Sequence, residues 1–121
     1  MNAPKIFEQI ILTHNEYIKS LRGLSTFNKM TLSSEERIDR VAFHVIEEII
    51  EMRRTYPRKF WKQQKQEIDI KSLIEETADV FLMARSMWLE VCNTCNITED
   101  DFLQRVLDKA RVNQLRRENG Y

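Results

Sequence analysis

The chain has 121 residues, about the length of one domain, and its nineteen basic and nineteen acidic side chains cancel. Balanced charge argues against a protein that binds nucleic acid with its whole surface. The longest apolar run, Val80–Ala84, is far shorter than the roughly 20 residues that span a bilayer. Two glycines and two prolines are too few for a many-stranded β fold. We therefore expect one all-α domain over residues 1–121, with neither membrane nor nucleic acid as a partner.

The first two predicted helices are bounded by turn and capping residues. The first helix runs from about Pro4 to Arg22 and stops at Gly23, a residue type common at helix ends. Ser33 opens the second helix through a Ser-x-x-Glu capping box, and Pro57 ends it. Apolar residues at three- and four-residue steps predict that one face of the second helix is core: Ile38, Val41, Ala42, Val45, Ile49 and Met52.

The third and fourth helices are predicted in the same way. Asp69 caps the third helix, and Thr98-x-x-Asp101 opens a fourth that continues to about Arg117. The core face of the third helix is expected to hold Leu73, Thr77, Val80, Ala84, Met87, Trp88 and Val91. A chain this short has little apolar core, so we expect a four-helix bundle completed by dimerisation or by a pair of dimers.

The cysteines and the first residues indicate the compartment. Two cysteines and the absence of a signal-peptide pattern predict a reduced, cytoplasmic protein. Cys92 and Cys95 have the spacing of a zinc pair, but His14 and His44 have no ligand-pair spacing, so we do not expect zinc.

Two carboxylate pairs lie at the margins of the predicted core faces. Glu48 and Glu51 are one turn apart on the second helix, and Glu76 and Asp79 are one turn apart on the third. Carboxylates that approach each other away from water repel unless a cation neutralises them, and Mg²⁺ and Mn²⁺ prefer oxygen ligands. Ordinary solvated helix acids give the same spacing, so the pattern by itself leaves both interpretations open.

The last helix carries the opposite charge. Lys109, Asn113 and Arg116 follow each other at i, i+4 and i+7, which places them on one face. Two cations and an amide on one face suit a chain of phosphates, although a solvated basic helix end is an equally good interpretation. The segment 53–66 is basic and aromatic without an acid. Its Trp61 is a candidate for stacking on a base, although an anchor that packs the loop on the protein's own core is an equally good interpretation.

Together these residues resemble the all-α nucleoside triphosphate pyrophosphohydrolases, the superfamily of MazG and the dimeric dUTPases. The signature of that superfamily is matched by Glu47-Glu48-Ile49-Ile50-Glu51 and, 25 positions after Glu51, by Glu76-Thr77-Ala78-Asp79. The closing motif of the dimeric dUTPase branch is matched by Lys109-x-x-x-Asn113-x-x-Arg116-x-x-x-Gly120-Tyr121. The basic-aromatic loop of that branch is similar to Arg58-Lys59-Phe60-Trp61-Lys62. The resemblance covers roughly residues 38–121.

The resemblance implies an enzyme that cleaves a (d)NTP to the (d)NMP and pyrophosphate in the sanitising of nucleotide pools. It implies that Glu48, Glu51, Glu76 and Asp79 hold Mg²⁺, with Mn²⁺ as a substitute, and that Glu47 or one of these ligands orients the water. Phosphate contacts would come from Lys59, Lys62, Lys109, Arg116 and Tyr121, and base or sugar contacts from Asn113 and Trp61.

Two departures leave the substrate open. The dUTPase branch tends to carry a His-Phe-like pair after its last acid, where this chain has Val80-Phe81-Leu82-Met83. The glutamine that helps that branch to read uracil has no clear counterpart, although Gln9, His14 and Asn15 lie in the first helix. A dUTP-specific enzyme therefore remains an alternative, as does a non-catalytic helical interaction module. A homodimer or homotetramer is implied for the enzyme.

Overall fold

The computed structural model describes residues 2–22, 32–56 and 68–120, and these form four α-helices with no strand among them. The helices are α1 (Ala3–Arg22), α2 (Ser34–Arg53), α3 (Ile70–Cys95) and α4 (Glu99–Glu118). The predicted all-α fold is thus confirmed for this part of the chain. Gly23 and Pro57, which were expected to end the first two helices, lie outside the described residues.

Local capping sets the starts of the last three helices, as predicted. Ser33, Asp69 and Thr98 are the N-caps of α2, α3 and α4, and each side chain accepts a hydrogen bond from a backbone N–H in the first turn. The box is reciprocal at Thr98, where the Asp101 carboxylate accepts the backbone N–H of Thr98 at 3.2 Å. At α2 the Glu36 carboxylate accepts instead from the Ser33 hydroxyl at 3.1 Å.

The second helix ends earlier than expected, and the end of the third is set by one left-handed residue. The second helix already ends at Arg53, several residues before Pro57, and Arg54 is its C-cap. The third ends at Cys95 because Asn96 adopts the left-handed conformation with φ 55°. A short link from Asn96 to Thr98 then leads directly into α4.

The helices α2 and α3 pack against each other far more extensively than any other pair, and they form the centre of the fold. The predicted core residues of both helices are mostly half-buried, whereas Ile49 and Thr77 are exposed. Among the described residues Cys92 is the one apolar side chain that is fully buried. The small core agrees with the shortage of apolar residues that the sequence predicted.

The flanking helices are attached more loosely. In α1 the large apolar side chains of Leu12 and Tyr17 are 65% and 59% exposed, and Ile6 is exposed as well. In α4 the contacts with α3 involve the first turn, where Phe102 stacks on Trp88 with 5.6 Å between ring centroids. From residue 104 to residue 120 every residue is exposed, so Val106, Leu107 and Leu115 of α4 have no cover within the described chain. None of the described helices has the length and apolar character required to cross a membrane.

Candidate functional site

Three of the predicted carboxylates meet between α2 and α3. Glu48 of α2 and the Glu76–Asp79 pair of α3 each bring an oxygen within 4.8 Å of the other two. The one-turn spacing on α3 places Glu76 and Asp79 side by side, and the packing of α2 on α3 supplies Glu48. We call these three residues the acidic cluster.

The acidic cluster contains two carboxylate oxygens with no partner among the described residues. Oε2 of Glu48 and Oε2 of Glu76 are buried, and neither has a hydrogen bond from that part of the chain. Burial raises the pKa of both glutamates, and the charge of Glu51 raises it further, followed by that of Asp79. Buried oxygens normally have a partner, so this pair marks a place where a cation or a donor from another molecule fits.

The remaining two acids of the motif border the acidic cluster. Glu51 is exposed, but its charge acts on both Glu48 and Glu76. Glu47 is exposed as well, and its carboxylate lies 3.9 Å from His44 Nδ1. Of the four predicted metal ligands, the structure thus brings three together and leaves Glu51 at the edge.

Three of the predicted phosphate- and base-binding residues lie in the described part of the chain, and they do not join the acidic cluster there. Lys109, Asn113 and Arg116 are exposed on the part of α4 that extends away from α3. Four other candidates lie outside the described residues, namely Lys59, Trp61, Lys62 and Tyr121.

A cavity of about 770 Å³ lies beside the acidic cluster, between α1 on one side and α2 and α3 on the other. Glu48 and Asp79 form part of its wall, so the carboxylates face the same space. The rest of the wall is apolar or uncharged and polar, and α1 supplies Ile6, Gln9, Ile10, Thr13, His14 and Tyr17. A cavity of this size and lining suits a small amphipathic ligand with a charged group at the acidic end.

A second polar cluster lies at the far side of this cavity, and the sequence analysis missed it. Arg85 of α3 is 1% exposed, and its guanidinium donates to both carboxylate oxygens of Glu99, at 2.9 Å from Nε and 2.8 Å from Nη2. The same guanidinium reaches two residues of α1: Nη1 lies 2.7 Å from His14 Nδ1, and Nη2 donates to Asn15 Oδ1 at 2.9 Å. We call this set, with Trp88 and Ser86, the Arg85 network.

The Arg85 network satisfies its own charges. Four of the five guanidinium N–H groups have acceptors, and the Trp88 indole N–H donates to Glu99 at 2.8 Å. Burial by itself would raise the pKa of Glu99, but the hydrogen bonds from Arg85 and Trp88 lower it below its usual value. A buried cation is thereby paired with an anion that is held ionised.

The geometry of the Arg85 network fixes the protonation of His14. Because an arginine can only donate, His14 Nδ1 must accept, and the ring proton lies on Nε2. Ser86 Oγ lies 3.1 Å from Nε2 and accepts that proton, while its own hydroxyl donates to the Leu82 carbonyl at 3.2 Å. Burial and the adjacent guanidinium lower the pKa of His14, in agreement with a neutral ring.

A signal for the Arg85 network was present in the sequence. Arg85 follows Phe81 by four positions and precedes Trp88 and Cys92 by three and seven, so it lies on an apolar face of α3. A charge in that position requires a buried partner, and Glu99 comes only fourteen residues later. Cys92 and Cys95 are both free thiols, the first buried and the second exposed.

Comparisons with protein-family models, with curated proteins and with solved structures find no match to this chain.

Proposed function

We propose that the protein is a Mg²⁺-dependent nucleoside triphosphate pyrophosphohydrolase, which adds water across the α–β phosphoanhydride of a (d)NTP and releases the (d)NMP and pyrophosphate. The supporting observation is the acidic cluster with its two unpartnered buried oxygens. The motif resemblance to the MazG and dimeric dUTPase superfamily supplies the reaction. A role in nucleotide-pool sanitising in the cytoplasm belongs to the same proposal.

The donor set fits the proposed metal. Glu48, Glu76 and Asp79 offer only carboxylate oxygens, which hard divalent cations such as Mg²⁺ and Mn²⁺ prefer. A bound cation would neutralise the repulsion among these acids, lower the pKa of an attacking water and offset the charge of the phosphates. Glu51 at the edge completes the set or, like Glu47, accepts a proton from the water.

The cavity beside the acidic cluster supports a nucleoside as the remainder of the ligand. Ile6, Ile10 and Leu82 offer apolar contacts for a flat base, and the uncharged Gln9 and Thr13 offer hydrogen bonds. With the phosphates at Glu48 and Asp79, the base and sugar extend toward α1. In this arrangement Gln9 is a further candidate for contact with the base.

A second copy of the chain is also part of the proposal. Large apolar side chains are exposed on the outer faces of the central helices, including Phe43 and Ile46 on α2 and Ile70 and Ile74 on α3. These faces, together with the uncovered α4, favour a homodimer or homotetramer. Lys109, Asn113 and Arg116 would then contact phosphates and sugar or base within the assembly.

The decisive experiment measures pyrophosphate release from a panel of standard and modified (d)NTPs in Mg²⁺. The Glu48→Gln variant serves as the negative control, and Glu75→Gln, a change at an exposed acid of α3 outside the acidic cluster, serves as the matched positive control. We expect release by wild type and Glu75→Gln but not by Glu48→Gln. Equal background release from all three proteins would end the proposal.

The same panel addresses the dUTP-specific alternative, which predicts release from dUTP and none from dCTP or dTTP. The interaction-module alternative predicts no release from any triphosphate, together with partner binding that is sensitive to salt but not to chelator.

A further inference from the structure

The helix α1 is held to the rest of the described chain by a small set of polar contacts. Its recorded hydrogen bonds to other helices all go to α3, from Arg85 to His14 and Asn15 and between His14 and Ser86. His14 is 5% exposed, whereas most of α1 is exposed. The polar part of the attachment of α1 therefore centres on one buried guanidinium and one neutral imidazole.

The same residues belong to the cavity next to the acidic cluster. His14 and Ser86 line it directly, and the neighbouring Thr13 and Gln9 of α1 continue the wall toward Glu48 and Asp79. If the bond between Arg85 and His14 breaks, this wall loses one of the three recorded hydrogen bonds that join α1 to α3. The Arg85 network thus connects the position of α1 with the shape of the binding space.

We propose that Arg85, acting through His14, is a positioning residue that holds α1 as a wall of the ligand cavity. Ligand affinity then depends on the Arg85–His14 hydrogen bond. The rate of bond cleavage at the acidic cluster does not depend on it. This inference rests on the proposed function for the identity of the ligand. The attachment of α1 itself is a separate observable that needs no ligand.

Protonation of His14 opposes this attachment. A proton on Nδ1 would face the Arg85 guanidinium across 2.7 Å, replacing a hydrogen bond by repulsion between two cations. The charged groups nearest the ring are Arg85 of α3 and Glu99 of α4, and Glu48 of α2 and Asp79 of α3 line the same cavity. Tyr17, the aromatic neighbour within α1, stacks at 6.4 Å between centroids.

Two substitutions at His14 separate the hydrogen bond from the charge. His14→Asn keeps an acceptor near the position of Nδ1 but does not titrate, and His14→Leu removes the acceptor. His44→Asn is the matched control, because His44 is the other histidine of the chain and is exposed on α2. All three changes leave Arg85 and the acidic cluster intact.

The first measurement is KM and kcat with Mg²⁺ and the triphosphate that wild type hydrolyses fastest. For His14→Leu we expect KM to rise about tenfold or more with kcat within about twofold, because a hydrogen bond from a charged donor contributes roughly that factor to an equilibrium. His44→Asn should remain near wild type at neutral pH, and His14→Asn, which keeps the acceptor, should raise KM less than His14→Leu does. A loss of kcat at unchanged KM in His14→Leu would overturn the proposal.

The second measurement is hydrogen exchange of the α1 amides, with intrinsic rates corrected for pH, and it requires no substrate. We expect His14→Leu to lose protection in α1 at neutral pH, and wild type to lose it in acid while His14→Asn keeps it. Unchanged protection in His14→Leu overturns the proposal even if no triphosphate is hydrolysed. Absence of hydrolysis by wild type, with α1 released as expected, would refute the proposed function but not the attachment of α1.

Discussion

The acidic cluster and the Arg85 network are two polar groups that border the same cavity, and they differ in how their charges are balanced. Arg85 is matched by Glu99 and by neutral acceptors, so nothing outside the chain is needed. Among the described residues, the charges that act on Glu48 and Glu76 are those of other acids, and one oxygen of each has no hydrogen-bond partner. The comparison indicates that a self-satisfied cluster stabilises the fold, whereas an unsatisfied one is free to bind a ligand.

The largest expected effect is on folding, at Arg85. Arg85→Met should lower the free energy of unfolding by about 3 kcal/mol, because it leaves Glu99 and His14 without their shared partner in a buried place. Urea denaturation measures this, with Arg111→Met on the exposed part of α4 as the control. A loss no larger than the control's would show that the network is not structural.

The second effect is on activity, at Glu48. Glu48→Gln should lower kcat/KM on the order of 100-fold, the size typical for loss of one preorganised charged or polar group at a reaction centre. Without metal its free energy of unfolding should not fall, because the change removes a charge that the neighbouring acids repel. If Glu48→Gln remained active but lost stability, Glu48 would stabilise the fold as Arg85 does and would not be needed for the reaction.

A third and smaller effect is stabilisation by metal. At a free Mg²⁺ concentration ten times Kd, wild type should gain about 1.4 kcal/mol, since a ligand that binds only the folded state stabilises it by mass action. Thermal unfolding with Mg²⁺ and with chelator measures this. Asp79→Asn should lose most of the gain and Glu75→Gln should keep it, and equal gains in both would exclude binding at the acidic cluster.

The smallest effect is the response of stability to pH without metal, where the two clusters act in opposite directions. The pKa of His14 is lowered from 6.5, so the stability it contributes is present above pH 6.5 and is lost as the pH falls below it toward the folded-state value. The pKa of Glu48 is raised from 4.5, so the stability that its proton contributes is present below pH 4.5 and is lost as the pH rises through the folded-state value.

Two variants separate these contributions in unfolding experiments from about pH 5 to about pH 7.5. For His14→Asn we expect the free energy of unfolding to fall less steeply than in wild type as the pH is lowered. For Glu48→Gln we expect it to fall less steeply than in wild type as the pH rises above the ordinary pKa of a glutamate. If the stability curves of both variants run parallel to that of wild type over this pH range, neither His14 nor Glu48 contributes to the pH dependence of stability.

Much of the fold was predictable because the start of a helix depends on residues that are close together in the sequence. Ser33, Asp69 and Thr98 each act within three residues, and all three caps were predicted at their observed positions. The proximity of Glu76 and Asp79 was also predictable, because the two residues are one turn apart on the same helix. The proximity of Glu48 to this pair depends on the packing of α2 against α3.

The Arg85 network was not predictable in the same way. His14 and Arg85 are 71 positions apart, and no periodicity connects a residue in α1 with one in α3. An arginine on an apolar helix face predicts that a buried partner exists, but it does not identify the helix that provides this partner. The placement of Lys109, Asn113 and Arg116 likewise depends on the direction of α4, which the spacing within that helix does not determine.

The position of Glu99 at the very start of α4 has a consequence for the shortest version of this protein that can fold. A chain cut after Cys95 would lose the counterion of Arg85, while one cut just beyond Phe102 would keep both the ion pair and the ring stacked on Trp88. A shortened chain that keeps these two contacts must therefore extend one turn into α4. The residues from 104 to 120 are exposed within the described chain, so they are free to pack on another surface.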